Sequence, residues 1–382
     1  MAAPFSLPTT HRALVLDKIG EPLRVETRPT PQVSPGTAVA KILVAGLLSY
    51  SREIYNGTRK YNLPTPCVPG NAAIGRIVAV GADATRFNPG DLVLIDIFIR
   101  GRDNPSIGAL SGVHDGHTEA SKRMMHSEWR DSTYAEYAKM PLENCFPLNE
   151  KRLLGDPSDG GLGYTVEDLL YMLPQIVPFG GLRAIGLDVC DRVIISPATG
   201  AFGSAAVQVA LSMGSSVIAM GRNKETLEAV RGFFASQFGE DRIQAVPITN
   251  DVQQEVESLA KFGPADVFFD ISPPQAAGST HVKSAILSLR HSGRVCLMGG
   301  QREDVGIPLV NVMRNDLTIK GKWMYERGDV ARVIQMVESG VLKLGKDAGS
   351  RTVGRFPLEN WKEAFDLAAE HAGPGERVVF TP

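Results

Sequence analysis

The chain has few cysteines, and their spacing is not typical of disulfides or of metal sites. Among its 382 residues, Cys67, Cys145, Cys190 and Cys296 stand singly. Such scattered positions fit neither a disulfide framework nor the paired cysteines of a structural zinc site. We therefore expect four buried, inert thiols.

A charge excess of one sign and long hydrophobic runs are lacking as well. Forty Lys and Arg residues nearly balance 42 Asp and Glu residues, so the formal net charge is −2. No basic stripe indicates nucleic acid, and no apolar run reaches membrane-spanning length. The first residues do not show the pattern of a secretory signal. We expect a cytoplasmic protein that binds a small molecule, without nucleic-acid or membrane partners.

What the chain does have is a glycine-containing turn between a predicted strand and a predicted helix. Residues 192–195 suit a buried parallel strand, and residues 204–213 have helical composition. The glycines between them occupy the last two glycine positions of the G-x-G-x-x-G pattern, where the missing Cβ lets backbone amides approach a pyrophosphate. The residues predicted to bind a dinucleotide here are Thr199, Gly200, Ala201, Phe202 and Gly203.

The end of the next predicted strand, residues 216–220, indicates which dinucleotide is bound. Enzymes that use NAD carry Asp or Glu there, and that carboxylate would repel a 2′-phosphate. This chain instead has Gly221, Arg222 and Asn223. We expect the glycine to leave room and the guanidinium to grip the phosphate, which predicts NADPH. The alternative is an exposed surface arginine.

The remaining pattern predicts two kinds of architecture along the chain. Short β-type runs between Gly, Pro and Asp turns fill residues 14–93, which is typical of an antiparallel β-barrel. Residues 100–133 interrupt this pattern and predict a long surface or active-site lobe. Past residue 187, strands alternate with helices as in a doubly wound α/β domain. A final strand is predicted at residues 377–380.

Several motifs in this order resemble the medium-chain dehydrogenase/reductase superfamily. They are Pro69–Gly75, Val80-Gly81, Phe87–Val93, the cofactor turn and Phe356–Phe365. Two further segments, Trp129–Tyr137 and Pro141–Pro147, are most similar to fungal alcohol-dehydrogenase-like members. The resemblance implies an α/β fold with a GroES-like β-barrel catalytic domain in residues 1–177 and a doubly wound Rossmann NADP-binding domain in residues 178–324. It also implies that residues 325–382 return to the catalytic domain.

The same resemblance bears on metal binding. Where zinc-dependent members carry a Cys and a Gly-His-Glu, this chain has Leu48 and Asn71. A hydrocarbon and a neutral carboxamide cannot replace a thiolate and an imidazole as zinc ligands, so we expect no metal. His114 and His117, with His126 nearby, are an alternative metal site, although a solvated loop is the expectation there. Similar zinc-free members are quinone oxidoreductases and enone or enoyl reductases.

The resemblance also nominates catalytic residues. The hydroxyl of the zinc enzymes' proton relay falls on Tyr50, and the relay's histidine falls on Glu53. We expect Tyr50 to donate a proton or a hydrogen bond to the substrate, with Glu53 orienting it or reaching solvent. The alternative is a packing tyrosine and a glutamate on a solvated helix face. Tyr55 and Tyr61 are weaker candidates for the donor.

Loops after the other parallel strands are expected to face the nicotinamide. Their residues are Ile271, Ser272, Met298, Gly299, Gly300, Trp323 and Met324. Cys190 stands where related chains often carry Gly before the first strand of this domain. The apolar segment 317–324 predicts a homodimer formed by strand pairing across an open sheet edge.

These observations predict a zinc-independent, NADPH-dependent oxidoreductase of secondary metabolism. It would transfer hydride to an activated C=C bond, as in an enone or quinone, or to a C=O bond of a hydrophobic small molecule. One alternative is a metal-free ketone or alcohol dehydrogenase in which Tyr50 is the acid. The other is a protein or enzyme that binds NADP without redox turnover and catalyses a cyclisation or an elimination.

Overall fold

The structure, a computed structural model, describes residues 7–382. Its strands belong mainly to two sheets, one in each half of the molecule. The strands are β1 (Thr10–Val15), β2 (Arg24–Pro29), β3 (Thr37–Gly46), β4 (Ala73–Val80), β5 (Leu92–Ile95), β6 (Phe98–Arg100), β7 (Gly108–Leu110), β8 (Tyr137–Pro141), β9 (Cys145–Pro147), β10 (Arg192–Ser196), β11 (Ser216–Gly221), β12 (Ile243–Pro247), β13 (Ala265–Asp270), β14 (Leu289–Leu297), β15 (Thr318–Gly321), β16 (Arg351–Phe356) and β17 (Glu376–Phe380).

Helices lie mostly in the second half, where they alternate with strands. The α-helices are α1 (Ser51–Tyr55), α2 (Glu119–Ser127), α3 (Glu150–Leu154), α4 (Val166–Leu169), α5 (Met172–Ala184), α6 (Ala201–Ser212), α7 (Lys224–Phe238), α8 (Val252–Ala260), α9 (His281–Leu287), α10 (Leu309–Arg314), α11 (Arg327–Glu338) and α12 (Trp361–Glu370). Across residues 7–382, no helix is long and apolar enough to cross a bilayer.

The cofactor half is a six-stranded parallel sheet in the order β12-β11-β10-β13-β14-β15. Its central strand β10 is apolar because both of its faces are covered: Val193, Ile194 and Ile195 have no exposed surface. The chain leaves β10 first towards β11 and later towards β13. This reversal of direction opens a crevice at the carboxyl ends of the strands, which is where ligands bind in such sheets.

The other half is a mostly antiparallel sheet in the order β16-β17-β3-β4-β5-β9, with β8 paired to β3. The last strand, β17, lies antiparallel to β3, with Val379 opposite Gly46 and Phe380 opposite Ala45. This pairing places Arg377 beside the segment that leads from β3 into α1. The predicted fold class, a GroES-like half joined to a doubly wound parallel sheet, is confirmed.

Two expectations about local environment are wrong. Cys190 is exposed, unlike the other three cysteines, and lies just before β10 with a φ of 66°. Glycine is favoured in that left-handed region, so Cys190 occupies a turn that a glycine would fit without strain. The expectation of a solvated loop around His114 and His117 is wrong for His114, which is buried within the lobe of residues 100–133.

Candidate active site between the two sheets

A cleft of about 590 Å³ lies between the two halves of the molecule. One wall consists of the turn after β10, the end of β11 and the loop after β13. The other wall consists of the end of β3, helix α1, the start of α5 and strand β17. The cleft therefore joins the predicted dinucleotide turn to the predicted proton donor.

The turn between β10 and α6 shows two different uses of glycine. A Cβ on Gly203 would lie 1.9 Å from the carbonyl oxygen of Pro197, so this position must lack a side chain for the turn to close. A Cβ on Gly200, which precedes the first residue of α6, would meet no protein atom within 4 Å. The open space at Gly200 faces the helix N-terminus, where backbone N–H groups favour a phosphate. All five predicted turn residues, Thr199 to Phe202 and Gly203, line the cleft.

Arg222 lies at the carboxyl end of β11 and lines the same cleft. Its side chain is exposed and, within residues 7–382, forms no ion pair with a carboxylate. Gly221 does not leave room for a phosphate in the way the sequence suggests, because a Cβ there would lie 2.7 Å from Cγ2 of Thr199. Asn223 accepts a hydrogen bond from the backbone N–H of Thr226 at 2.9 Å and thereby caps α7. Of these three residues, only Arg222 lines the cleft.

Arg377 is a cationic residue of the cleft that the sequence does not reveal. Its side chain is 9% exposed, donates to Asp168 at 3.1 Å and to Ser350 at 2.9 Å, and lies over the Tyr171 ring. Burial lowers the pKa of its guanidinium. Its Nε–H has no partner among the described residues. A buried cation with a spare donor, on the wall opposite the glycine turn, suits an anionic group in the cleft.

Of the predicted nicotinamide-facing residues in the loops after β13 and β14, only one lines the cleft. Ile271 lines the cleft. Ser272 is buried behind it, and its carbonyl oxygen accepts a hydrogen bond from the backbone N–H of Gly300 at 2.7 Å. Met298 and Gly299 do not line the cleft; a Cβ on Gly299 would collide with the Asp270 carboxylate.

Trp323 and Met324 also lie outside the cleft lining. The Trp323 ring stacks on His114, with centroids 5.6 Å apart, and meets the edge of Phe98 at 5.0 Å. Trp323 therefore contacts the lobe of residues 100–133. Met324 follows with a φ of 59°, a left-handed conformation in the connection that leads to α11.

A buried cluster that sequence reasoning missed closes the cofactor side of the cleft. His281 is 1% exposed, and its Nε2 lies 3.1 Å from Oδ1 of Asp270 and 2.8 Å from Oγ of Ser272. Its Nδ1 lies 2.7 Å from Oγ of Ser279, which lines the cleft with His281. Ser272 and Asp270 both meet Nε2 of the imidazole, whereas Ser279 meets Nδ1, so His281 links the end of β13 to the segment that precedes α9. It holds the loop after β13 in place.

Tyr50 lines the opposite end of the cleft, directly before α1. Its ring is half-buried and packs against the core of the catalytic half, and burial raises the pKa of its hydroxyl to about 12. The hydroxyl therefore keeps its proton throughout the neutral range. Tyr50 thus combines a packing role with a protonated group at the cleft surface.

Glu53 does not bond to Tyr50; it pairs with Arg59. Oε2 of Glu53 accepts from Nη1 of Arg59 at 3.1 Å, and the Arg59 guanidinium carbon lies 3.7 Å from the centroid of the Tyr50 ring. Both residues line the cleft. Arg59 follows α1 in an ordinary polar stretch, so no sequence signal distinguishes it from a surface arginine.

The two weaker tyrosine candidates lie elsewhere. Tyr55 is 2% exposed and donates to the carbonyl oxygen of Gly112 at 3.0 Å, which makes it a core residue. Tyr61 does not line the cleft. Its ring meets the edge of His114 at 5.4 Å and lies 5.4 Å from the Arg59 guanidinium.

The residues at the positions of the zinc ligands do not suit zinc. Leu48 and Asn71 both line the cleft, and Asn71 is 2% exposed. Within residues 7–382, no three His, Cys, Asp or Glu side chains are grouped to hold one ion. His114 is buried against Trp323, and burial lowers its pKa to about 4, while His117 is exposed. The donor set in this cleft does not fit a catalytic zinc site.

Two family models match the chain. The model described as "Alcohol dehydrogenase GroES-like domain" matches residues 34–150. The model described as "Zinc-binding dehydrogenase" matches residues 201–339. Between them they cover most strands of the two sheets, although not β10, β16 or β17, and more than half of the cleft residues.

Curated relatives match over nearly the whole chain. An alcohol dehydrogenase from Geobacillus stearothermophilus is 24% identical over 356 residues, which are 93% of this chain and 95% of that protein. An L-threonine 3-dehydrogenase from Vibrio parahaemolyticus is 23% identical over 344 residues, covering 88% of this chain and 90% of the relative. These proteins are similar to this chain over nearly their whole length.

Solved structures share the fold. An alcohol dehydrogenase from E. coli, complexed with NADH, has a TM-score of 0.74 and 20% identity over 98% of this chain and 100% of its own. A zinc-binding dehydrogenase from Sinorhizobium meliloti, bound to NADP, has a TM-score of 0.74 and 19% identity over the same shares. One of these similar structures contains NADH and the other contains NADP.

Proposed function

This chain belongs to the medium-chain dehydrogenase/reductase superfamily of oxidoreductases, and on that premise we propose that it uses NADPH without a catalytic zinc. The proposed reaction transfers hydride to an activated C=C bond, as in an enone or quinone, and transfer to a C=O bond of a hydrophobic small molecule is the second candidate described below. The observation that carries the proposal is the single cleft that joins Arg222 and the glycine turn to Tyr50.

The cofactor wall supports NADPH. When bound, NADPH supplies the hydride. The first amides of α6 and the open space at Gly200 would receive the pyrophosphate, and Arg377 faces the same region from the other wall. Arg222 would bind the 2′-phosphate, since no carboxylate stands at the end of β11 to favour a ribose hydroxyl.

The opposite wall supports acid catalysis by a side chain. Tyr50 holds its proton up to a pKa of about 12 and can donate it, or a hydrogen bond, to the oxygen or carbon that gains electrons. The phenolate left behind would face the Arg59 guanidinium carbon, 3.7 Å from the ring centroid, which stabilises the negative charge. Glu53 would position Arg59 and thereby act on Tyr50 indirectly.

Zinc has no part in this mechanism because the residues do not fit it. Leu48 offers no donor atom, and Asn71 offers only a neutral carboxamide. The polarisation that a zinc ion supplies in alcohol chemistry must then come from hydrogen-bond donors, with Tyr50 and Arg59 nearest to the substrate end of the cleft. Activated double bonds need less polarisation than simple alcohols, which favours an enone or quinone-like substrate.

A second candidate is metal-free interconversion of a ketone and an alcohol. The names of the relatives, alcohol dehydrogenase and L-threonine 3-dehydrogenase, favour chemistry at a carbon–oxygen bond. The same cleft would serve, with Tyr50 protonating the alkoxide oxygen. The substrate bond that is reduced, and not the residues used, separates the two candidates.

The test is to offer the purified protein NADPH with an aliphatic enone, a quinone and a simple ketone in turn, following NADPH absorbance and identifying products. We expect NADPH oxidation with a saturated carbonyl compound or a hydroquinone as product. A secondary alcohol as product would select the second candidate. If all three substrate classes leave NADPH unoxidised, a non-redox use of the bound cofactor replaces both.

A homodimer formed through β15 belongs to the same proposal. This strand is the last in the six-stranded sheet, so one of its backbone edges has no neighbouring strand among the described residues. Exposed apolar side chains lie close to it in sequence: Leu309, Val310, Met313 and Trp323. Pairing with a second copy would satisfy the edge and cover these side chains.

A further inference from the structure

Arg59 is held in an unusual environment for a cation. Its guanidinium carbon lies 3.7 Å from the Tyr50 ring centroid and 5.4 Å from that of Tyr61, so aromatic rings occupy its faces. The side chain is only 12% exposed, although it lines the cleft. Stacking of this kind leaves only the edge of the planar guanidinium for hydrogen bonding.

That edge is not fully used by the protein. A guanidinium carries five N–H donors, and in this structure Nη1 donates to Glu53. The Nε–H of Arg59 is buried and has no partner among the residues described. Burying a charged donor without a partner is costly, so the arrangement favours a ligand that brings acceptor oxygens.

The charge balance indicates the kind of acceptor. Glu53 is 42% exposed and only partly neutralises Arg59 because water screens their attraction. A singly charged, planar carboxylate matches the guanidinium fork, whereas a phosphate dianion would need a second free cation, and Arg52, which also lines the cleft, is paired with Asp366 at 2.7 Å. The neighbouring lining is apolar: Leu47, Leu48, Leu170 and Leu173.

We propose that Arg59 anchors the substrate by its carboxylate, so that the reducible C=C or C=O bond lies beside Tyr50 and the substrate is a hydrophobic unsaturated or oxo carboxylic acid. This inference rests on the proposed function, because it deepens the choice of substrate for the same cleft. Arg59 is then a specificity-determining residue, and Glu53 is a positioning residue that competes with the substrate for the guanidinium.

The test measures binding and needs no turnover. Isothermal titration of the NADP⁺-saturated protein compares trans-cinnamate with trans-cinnamamide, which have the same shape and differ in charge. We expect the wild-type protein to bind cinnamate roughly 10- to 100-fold more tightly, since a charged hydrogen bond is gained. Arg59→Gln should remove that preference and leave the affinity for cinnamamide unchanged.

Two further variants guard against a trivial effect of folding or net charge. Lys60→Gln is the matched control: it removes one positive charge at the adjacent residue, whose side chain is exposed and outside the cleft lining. It should keep the preference for cinnamate. Glu53→Gln removes the competing carboxylate and should strengthen cinnamate binding several-fold, which a purely structural Arg59–Glu53 pair would not do.

The outcomes separate the two proposals. Equal wild-type affinity for the acid and the amide, no wild-type binding of cinnamate, or a preference that survives Arg59→Gln would overturn the carboxylate anchor, whatever the enzyme reduces. Should Arg59→Gln not fold, cinnamate binding unchanged or weakened in Glu53→Gln would overturn it. Failure of NADPH oxidation with every substrate class, with the cinnamate preference intact, would overturn only the proposed function.

Discussion

The two walls of the cleft are built by different means. The cofactor wall consists largely of backbone and of residues close in sequence, from Thr199 to Gly203, with Arg222 one strand later. The catalytic wall is made of side chains from distant segments, including Tyr50, Arg59, Asn71 and Arg377. A glycine turn has much the same meaning in any parallel sheet, whereas a tyrosine or an arginine acquires its role only from its neighbours. The glycine turn of the first wall can therefore be recognised from local sequence, whereas in the second wall Tyr50 and Asn71 were identified only through the family resemblance, and Arg59 and Arg377 were not identified at all.

The contrast predicts that the catalytic wall depends on single functional groups. Tyr50→Phe keeps the ring that packs on the core and removes only the hydroxyl. If that hydroxyl is the general acid, turnover should fall by roughly 10² to 10⁴ while NADPH affinity barely changes. Steady-state and single-turnover kinetics with the true substrate measure both effects.

The comparison variant is Tyr61→Phe, whose hydroxyl lies outside the cleft lining but beside Arg59, so we expect a smaller loss than in Tyr50→Phe. A near-normal rate for Tyr50→Phe, with chemistry limiting, would reduce Tyr50 to a packing residue. A large loss in Tyr61→Phe instead would transfer the role of donor to Tyr61.

On the cofactor wall, we expect binding to depend on the charge of Arg222 and not on a proton donor. Arg222→Asp replaces the proposed phosphate ligand by a carboxylate, which should cost roughly 2 to 5 kcal/mol of NADPH binding and leave NADH binding unchanged or improved. Lys224→Asp makes the same charge change outside the cleft and serves as the control. Titration of each protein with NADPH and with NADH measures the dissociation constants. Unchanged dissociation constants for both in Arg222→Asp would remove the 2′-phosphate from this position.

Much of the fold follows from the sequence, and for a physical reason. Buried parallel strands are continuous apolar runs, so β10 and β11 end within one residue of their predicted limits. Local turn chemistry also revealed Gly200 and Gly203.

The rest of the site could not be read in this way. Arg377 matters because β17 pairs with β3, more than 300 residues earlier in the chain, and so brings this arginine to the cleft. His114 is buried because Trp323, from the other half of the molecule, stacks on its ring. Arg59 gains its role from the rings of Tyr50 and Tyr61. None of these contacts has a signature in local sequence.

A titratable group, Asp96, lies in the contact between the catalytic half and the segment that follows β15. Asp96, in the catalytic half, accepts from the Tyr325 hydroxyl at 2.6 Å and from the backbone N–H of Phe98 at 3.0 Å. Burial raises the pKa of Asp96 from 3.8 to about 6. Because the folded state favours the protonated acid, this contribution to stability is complete below about pH 4 and is lost as the pH rises through about 6.

Asp96→Asn keeps both accepted hydrogen bonds and removes the ionisation. Relative to the wild type, the variant should gain about 1 to 3 kcal/mol of stability between pH 4 and pH 7. Thermal unfolding of both proteins across this range measures the difference, and a Tyr325→Phe variant measures what the hydroxyl contact contributes to it. A stability difference that does not change with pH would place the titration elsewhere.

The six-stranded sheet behind the cofactor wall has an edge with no neighbouring strand among the described residues. The six-stranded sheet ends at β15, beside exposed apolar residues such as Met313, and we expect it to continue into a second copy. The expected mass in solution is twice that of the 41.1 kDa chain. Light scattering over a dilution series measures it, and a monomer at micromolar concentration would reject pairing through β15.

The smallest expected effect concerns zinc. The model of zinc-binding dehydrogenases matches residues 201–339, yet the ligand positions of the catalytic half hold Leu48 and Asn71. We expect the purified protein to contain no stoichiometric zinc and to keep its turnover in a strong chelator, because Tyr50 and Arg59 supply the polarity that a metal would otherwise give. Elemental analysis and chelator-treated kinetics measure this, with the NADPH dissociation constant as the control that the cofactor wall is undisturbed. One zinc per subunit, lost together with turnover while NADPH still binds, would mean that the catalytic wall works through a metal held by other residues. Both walls would then depend on a bound group, and the side chains of Tyr50 and Arg59 would not be what replaces the metal.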